Sequence, residues 1–313
     1  MYSIINHTNI FSNQKLKSSS ITSYPLLSPI KLISKNSEFF PKKLFDLEDC
    51  PDILYILGNE KILNNFSLSI IGTRKSSNLG NDITFNLAKD LSNNNITIVS
   101  GLASGIDTQA HLGAISSTIA IVAYGFNYFT HTNLPLIENI LKNNGAIVSE
   151  YFPDTPPKKF TYLKRNRLVA AISNGVVVTE APAKSGALYT ANLALTLSKP
   201  VFAIPWNINV SRGLGCNYLL ERKAHILLKH EDILNYFKKN NFSFEVSCNV
   251  KTQSSPNNIL KVPKPFINLY NYIKQNEPIP KESIYSYFQD IDISTLNSNL
   301  VLMELQDLIT LTR

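Results

Sequence analysis

Between about residue 67 and residue 230, short apolar runs alternate with amphipathic segments, and this alternation restricts the fold more than any other feature of the chain. The runs are rich in β-branched residues and apolar on both faces, which is typical of strands covered on both sides of a sheet. Strands that alternate with helices predict an α/β fold, here an extended Rossmann-like, doubly wound and mostly parallel sheet. The runs are LSIIG, ITIVSG, TIAIVAYG, GAIVSE, GVVVTEA and KPVFAIP, and the helical segments are 80–93, 105–117, 132–143, 164–174 and 185–198.

The flanking regions differ from this central domain, which we expect to cover residues 45–237. Residues 1–44 are polar and rich in Ser and Asn, and we expect a poorly structured or remnant N-terminal segment. Residues 238–262 are dominated by Asn, Ser, Lys and Pro, which is typical of a linker. Helical periodicity returns in residues 263–313 and predicts a small, winged-helix-like C-terminal module.

Size, charge and cysteine usage narrow the protein class. A chain of 313 residues is long enough for two domains. It has no apolar run near the ~20 residues of a membrane span and no secretory leader pattern, so we expect a cytoplasmic protein with no membrane partner. The three cysteines, Cys50, Cys216 and Cys248, are too far apart for a zinc site, and we expect no metal. The net charge of +7 favours an anionic partner.

The loops that follow the predicted strands are small, polar or cationic. In an open parallel sheet, ligands bind beyond the carboxyl ends of the strands, and helix N-termini preceded by Gly or Ser present free N–H groups to anions. One sheet edge is therefore predicted to bind phosphates, with Ser100, Gly101 and Gly105 acting through backbone N–H groups and close approach. Gly-Leu-Ala-Ser-Gly at 101–105 matches neither nucleotide-binding loop motif, so no cofactor is expected. The candidates are Arg74, Lys75, Ser76, Gly101, Gly105, Lys184, Ser185 and Gly186.

The densest positive charge lies in the run KKFTYLKRNR at 158–167, which has five cations, two aromatic rings and no acid. Cations interleaved with rings suit single-stranded nucleic acid, because the cations follow the backbone and a ring stacks on a base. Arg165 and Arg167 are two residues apart and so point to different sides of a helix, and we expect at most one of them to face the ligand. The candidates here are Lys159, Tyr162, Arg165, Asn166 and Arg167.

Ser100, Asp107 and His111 have the residue types of a hydrolytic triad within one short stretch. A triad needs an activated nucleophile on a sharp elbow with a base in reach, and the elbow motif Gly-x-Ser-x-Gly is not met here. We expect Asp107 and His111 to hold the turn in place, and no residue of the chain is predicted to be catalytic.

Taken together and in order, these stretches resemble the DNA-processing protein A family, also called Smf. The resemblance implies an extended Rossmann fold that binds single-stranded DNA without hydrolysing it. It also implies a homodimer that helps load the RecA recombinase onto incoming strands in natural transformation. Residue by residue, it assigns DNA contacts to Arg74, Lys159, Tyr162, Lys184, Ser185 and Gly186. The matching stretches are 70–80, 99–115, 145–153, 162–173, 176–195 and 200–205, with a similar lead-in at 39–59.

Two alternatives remain open at this stage. The first is a nucleotide-processing hydrolase of the lysine-decarboxylase-like Rossmann group, which uses a Pro-Gly-Gly-x-Gly-Thr-x-x-Glu loop. The stretch 183–190 lacks its glycine run and its glutamate, and Glu180, the nearest substitute, precedes the loop. The second is a sequence-specific reader of duplex DNA in the C-terminal module. The stretch 294–299 offers Ser, Thr and Asn but no cation, which favours a protein-contact or vestigial role.

Overall fold

The computed structural model describes residues 29–240, 267–276, 279–289 and 291–305. The chain divides into two compact units between Ser247 and Cys248. Within residues 29–240, nine strands form one sheet in the order β1-β2-β6-β5-β4-β3-β7-β8-β9. The strands are β1 (Lys31–Ser34), β2 (Ile53–Gly58), β3 (Ser67–Ile71), β4 (Thr97–Ser100), β5 (Thr118–Ile121), β6 (Ala146–Ser149), β7 (Gly175–Val178), β8 (Val201–Ala203) and β9 (His225–Ile226). The helices of this unit are α1 (Asn78–Asn93), α2 (Ile106–Gly113), α3 (Leu134–Lys142), α4 (Lys159–Ile172), α5 (Gly186–Thr196), α6 (Leu214–Glu221) and α7 (His230–Lys239).

The sheet is parallel from β6 to β9 and ends in two antiparallel strands. β2 pairs antiparallel with β6, and β1 with β2. The chain builds outward from β3 through β4, β5 and β6, and then returns to the other side of β3 with β7 and β8. The order therefore reverses between β3 and β7, which is where open α/β sheets leave a crevice at their carboxyl edge. The α/β class and the doubly wound, mostly parallel sheet predicted from the sequence are confirmed.

Helices cover both faces of the sheet because each central strand is apolar on both sides. Ile71 and Val99 pack on one face with α4 and α5, while Ile70 and Ile98 pack on the other with α1, α2 and α7. Adjacent residues of a strand point to opposite faces, so the alternate residues of one apolar run supply both cores. Burial of each such aliphatic side chain stabilises the folded state by about 1.5–3 kcal/mol relative to leaving it exposed to water.

The prediction that segment 1–44 is poorly structured is wrong for its described part, residues 29–44, and that the segment is a remnant stays a prediction. There β1 pairs with β2, and Phe40 and Leu44 are buried in the core beside α4 and α5. Four-residue β1 is too short for an alternation pattern to stand out, and its pairing depends on β2, which the sequence analysis also missed. The predicted linker 238–262 begins inside α7, which includes Lys238 and Lys239. Residues 1–28 and the rest of that linker after residue 240 lie outside the described residues.

The second unit contains three described helices, α8 (Ile267–Gln275), α9 (Lys281–Tyr287) and α10 (Ile293–Leu305). They enclose a small core that includes Leu269, Ile273, Ile284, Leu300 and Met303. The helical character predicted for this region is confirmed, and its winged-helix-like nature stays a prediction. In neither unit does a described helix combine the length and hydropathy needed to cross a bilayer.

Candidate functional site

A cavity of about 300 Å³ lies at the crevice where the strand order reverses, and we call it the β3–β7 pocket. Its walls come from the loops after β3, β4 and β7, the middle of α4 and the first turns of α5. Seven of the residues predicted from the sequence line it: Arg74, Gly101, Arg165, Asn166, Lys184, Ser185 and Gly186. The other lining residues are Ile71, Gly72, Thr73, Ala103, Asp107, Val169, Pro182, Ala187 and Thr190.

The N-terminus of α5 forms one wall of the pocket. Ser185 caps this helix, because its hydroxyl oxygen accepts the Leu188 N–H at 3.3 Å. The N–H groups of Gly186 and Ala187, in the same first turn, have no intrahelical acceptor. Space above Gly186 is open, since a Cβ placed there meets only the Asn166 Nδ2 atom, at 3.9 Å. Free N–H groups and a positive helix end at an open cavity suit an anion.

Arg165 is buried and ties α4 to the sheet edge. Its Nη1 donates to the Gly101 carbonyl at 2.6 Å and also to the Ile121 carbonyl. Its Nε donates to the Asn166 side-chain oxygen at 3.2 Å. Burial lowers the pKa of the Arg165 guanidinium, and the nearby Asp107 carboxylate opposes this shift. Arg165 therefore shapes the pocket wall more than it offers free donors.

Asp107 holds the loop after β4 in the way the sequence predicted. Its Oδ2 accepts the Gly101 N–H at 3.1 Å and the Ala103 N–H at 3.4 Å. Burial raises the pKa of Asp107, while Arg165 and these two N–H groups lower it. The predicted use of the Gly101 N–H for a phosphate is therefore wrong, because Asp107 already occupies it. Gly101 contributes by close approach instead, since a Cβ there would lie 2.3 Å from the Arg165 Nη1.

Gly105 acts behind the pocket and does not line it. Its φ is +78°, a left-handed conformation that favours glycine. A Cβ at this position would lie 2.4 Å from the Thr73 carbonyl oxygen, and the next N–H, that of Ile106, donates to the same oxygen at 3.2 Å. Gly105 thus allows the loops after β3 and β4 to pack directly on each other.

The triad residues of the sequence do not form a nucleophile–base–acid chain, although the Ser100 hydroxyl lies close enough to the Asp107 carboxyl to lower its pKa. The Ser100 hydroxyl donates to the Ile70 carbonyl at 2.6 Å. The His111 Nδ1 instead lies 2.7 Å from the Thr118 hydroxyl, which donates to the Ile98 carbonyl. The Thr118 oxygen therefore accepts from Nδ1–H, and because burial lowers the pKa of His111 to about 3, the ring is the neutral Nδ1–H tautomer. His111 anchors α2 to β5 through this hydrogen bond, which does not involve the turn after β4 that it was expected to support.

Glu180, the nearest substitute for a catalytic glutamate, does not line the pocket. It is fully buried, and its Oε2 accepts the Ser77 N–H at 2.9 Å at the start of α1. A carboxylate at a helix N-terminus stabilises that helix. This structural role leaves the nucleotide-hydrolase alternative without its acid.

The remaining predicted residues lie outside the pocket lining. Arg167 forms a buried ion pair with Glu150, at 2.5 Å, and a second ion pair with the exposed Asp49, at 2.8 Å. The Tyr162 ring lies beside the pocket, where the Arg74 guanidinium sits 5.2 Å from its centroid. Lys75, Ser76 and Lys159 are placed in the loop after β3 or at the start of α4, away from the lining.

Sequence reasoning missed two polar lining residues, Thr73 and Thr190. Thr73 immediately precedes Arg74 in the loop after β3, so its position after a predicted strand was the signal that could have identified it. Thr190 stands four residues after Gly186, which places both on one face of α5. Its hydroxyl donates to the Gly186 carbonyl at 3.1 Å. No cluster of potential metal ligands occurs in the parts of the chain that the structure describes.

The buried His111 predicts a pH-dependent stability. Burial lowers its pKa to about 3, with a smaller contribution from Arg165. Because the folded pKa lies below the ordinary ~6.5, the unfolded chain binds the extra proton between these values. The free energy of unfolding should fall by about 1–2 kcal/mol from pH 6.5 to pH 5 on this account. Urea titrations of the parent and His111→Asn across this range measure it. Curves that keep the same pH dependence in both proteins contradict the assignment.

Comparison with known proteins shows which proteins the chain is similar to. The sequence model of a family described as DNA recombination-mediator protein A matches residues 31–238. Protein Smf of Escherichia coli is 35% identical over 207 residues, which cover 65% of this chain and 55% of that protein. DNA processing protein DprA of Streptococcus pneumoniae is 33% identical over 64% of this chain and 71% of its own length. The chain thus spans about half the length of the first of these relatives.

Two solved structures are also similar to the chain. The X-ray structure of DNA processing protein A from Streptococcus pneumoniae superposes with a TM-score of 0.63 at 32% identity, covering 70% of this chain and 75% of that one. A structure of DNA processing protein A from Helicobacter pylori, described for its single-stranded DNA binding mode, gives a TM-score of 0.62 at 34% identity. It covers 67% of this chain and 96% of its own.

Proposed function

This chain belongs to the DNA recombination-mediator protein A family, and on that premise we propose that it binds single-stranded DNA through the β3–β7 pocket without catalysing a reaction on it. The observation that carries the proposal is the pocket itself, in which Arg74, Lys184 and the N-terminus of α5 converge at one sheet edge. Such a site neutralises a phosphate with charges and N–H donors together.

The neighbouring surface suits a strand that continues beyond the pocket. Lys158, Lys159 and Phe160 are exposed at the start of α4, and Phe160 keeps 60% of its surface exposed. Exposed cations follow a phosphate backbone, and an exposed ring offers a surface for a base. This combination favours an unpaired strand, because the bases of a duplex are already stacked on each other.

The proposal is tested by fluorescence anisotropy with a labelled single-stranded oligonucleotide and a duplex of the same length. We expect the single strand to bind in the micromolar range or more tightly. The logarithm of the binding constant should fall linearly with the logarithm of the salt concentration. The duplex should bind more weakly. Equal binding of both forms, or binding of the single strand that ignores salt, contradicts the proposal.

The resemblance to the family supports three finer proposals for this chain. We propose that it forms a homodimer, that it helps load the RecA recombinase onto the strands it binds, and that it acts in the cytoplasm during DNA uptake. Light scattering gives the mass in solution. Recombinase filament formation on strands pre-coated by a single-strand-binding protein measures loading. A monomer, or no stimulation of filament formation, contradicts the corresponding proposal.

A further inference from the structure

The side chains that line the β3–β7 pocket carry more positive than negative charge. Arg165 and Asp107 are 5% and 7% exposed, and their opposite charges offset each other. Arg74 and Lys184 are exposed at the pocket, and neither has a carboxylate partner among the lining residues. The lining therefore leaves two positive charges for a ligand, in addition to the partial charge of the α5 N-terminus.

The polar groups of the pocket are mostly donors. The Asn166 side-chain oxygen accepts from the Arg165 Nε, so the amide nitrogen is the free end of that side chain. It faces the open space above Gly186, 3.9 Å from where a Cβ would stand. The Gly186 and Ala187 N–H groups add two donors, and the Ser185 hydroxyl, which accepts from Leu188, still has its own proton to donate. A ligand with several acceptor oxygens fits this set.

We propose that the β3–β7 pocket prefers a terminal phosphate monoester of a DNA strand to an internal phosphodiester. A monoester carries about two negative charges at neutral pH and three terminal oxygens, whereas an internal diester carries one charge and two. Two unpaired cations match the monoester. The volume of about 300 Å³ lies at the bottom of the range for small-molecule pockets, so the pocket holds a single phosphate and its immediate neighbour. This inference deepens the proposed function and rests on it.

The test compares strands that differ only at an end. Oligonucleotides with an internal fluorophore carry a 5′-hydroxyl, a 5′-phosphate, a 3′-phosphate or a 5′-phosphate methyl ester, which has the bulk of the phosphate but one charge. At pH 7.5 we expect a monoester end to bind about tenfold more tightly than the hydroxyl or the methyl ester, or about 1.4 kcal/mol. An advantage at either end supports the proposal. Equal affinities for all four strands overturn it.

A pH series separates the charge of the ligand from that of the protein. The second pKa of a phosphate monoester is about 6, so its advantage over the methyl ester should shrink from pH 7.5 to pH 5.5. The methyl ester keeps one charge throughout and reports any titration of the pocket itself, where Asp107 is the one carboxylate among the lining residues. An advantage that stays constant over this range overturns the charge argument.

Variants connect the preference to the pocket. Lys184→Ala leaves one unpaired cation, so the ratio of monoester to methyl-ester affinity should fall toward one. Lys89→Ala removes an exposed cation of α1 that does not line the pocket, and should keep the parent ratio. A Lys184→Ala protein with an unchanged ratio overturns the assignment.

The outcomes also distinguish this inference from the proposed function. If a 5′-hydroxyl strand binds as well as the phosphorylated strands, the preference for a terminal phosphate is contradicted, while single-strand binding is still supported. A strand that binds only when phosphorylated, with no binding of a circular strand of the same length, supports the inference. That result removes general single-strand binding as the function.

Discussion

Arg74→Ala should weaken single-stranded DNA binding about tenfold to a hundredfold. Arg74 supplies an exposed guanidinium to the β3–β7 pocket, and hydrogen bonds between charged groups contribute about 1.5–3 kcal/mol. The plot of log affinity against log salt should also lose about one unit of slope, because one fewer phosphate is neutralised. Anisotropy titrations at four salt concentrations measure both quantities.

Lys75→Ala is the matched control for this experiment. Lys75 is the next residue in the same loop, is also exposed, and does not line the pocket. Its removal should cost less than threefold in affinity, through long-range charge alone. Equal losses for the two variants would mean that the loop contributes general positive charge and that the pocket is not the binding site.

Tyr162 offers a second control on the same contact. Because the Arg74 guanidinium lies 5.2 Å from its ring centroid, Tyr162→Leu should reduce affinity partly by releasing Arg74, and a cation–π contact is worth about 0.5–2 kcal/mol. The double variant with Arg74→Ala should then be less impaired than the sum of the two single losses.

The fold could be predicted because the pattern that specifies its central strands is local in the sequence. The six apolar runs are visible in the sequence, and they correspond to β3 through β8. The strands that were missed, β1, β2 and β9, lie toward the edges of the sheet and have two to six residues. Short edge strands carry a weak pattern, and their existence depends on pairing with partners that are distant in the sequence.

The pocket could be predicted in outline because topology brings the loops after β3, β4 and β7 to one edge. The roles of individual residues could not. The start of α4 is set at Lys158 and Lys159 by the Thr161 hydroxyl, which accepts the Lys158 N–H at 3.1 Å, whereas the sequence pattern placed it at 164. Only the observed helix shows that Arg165 turns toward the Gly101 carbonyl and Arg167 toward Glu150. These partners lie 64 and 17 residues away, so no local pattern encodes them.

Arg165→Met should destabilise the folded protein by about 2–5 kcal/mol, since each buried polar group left without its partner costs about 1–3 kcal/mol. The change leaves the Gly101 and Ile121 carbonyls without their donor and leaves the buried Asp107 carboxylate without the cation that opposes it. Urea unfolding followed by circular dichroism measures the loss. Lys159→Met is the matched control on the same helix, because Lys159 is exposed, and exposed substitutions usually change stability by less than about 0.5 kcal/mol.

A double-mutant cycle with Asp107→Asn separates the charge pair from the carbonyl contacts. If the two charges compensate each other, Arg165→Met in the Asp107→Asn background should cost about 1–3 kcal/mol less than in the parent. The cost that remains belongs to the two orphaned carbonyls and to the space left beside Gly101. Strictly additive losses would show that Asp107 is held by the Gly101 and Ala103 N–H groups alone. The pocket would then have a third uncompensated cation, and its preference for a dianion should be stronger than the two exposed charges predict.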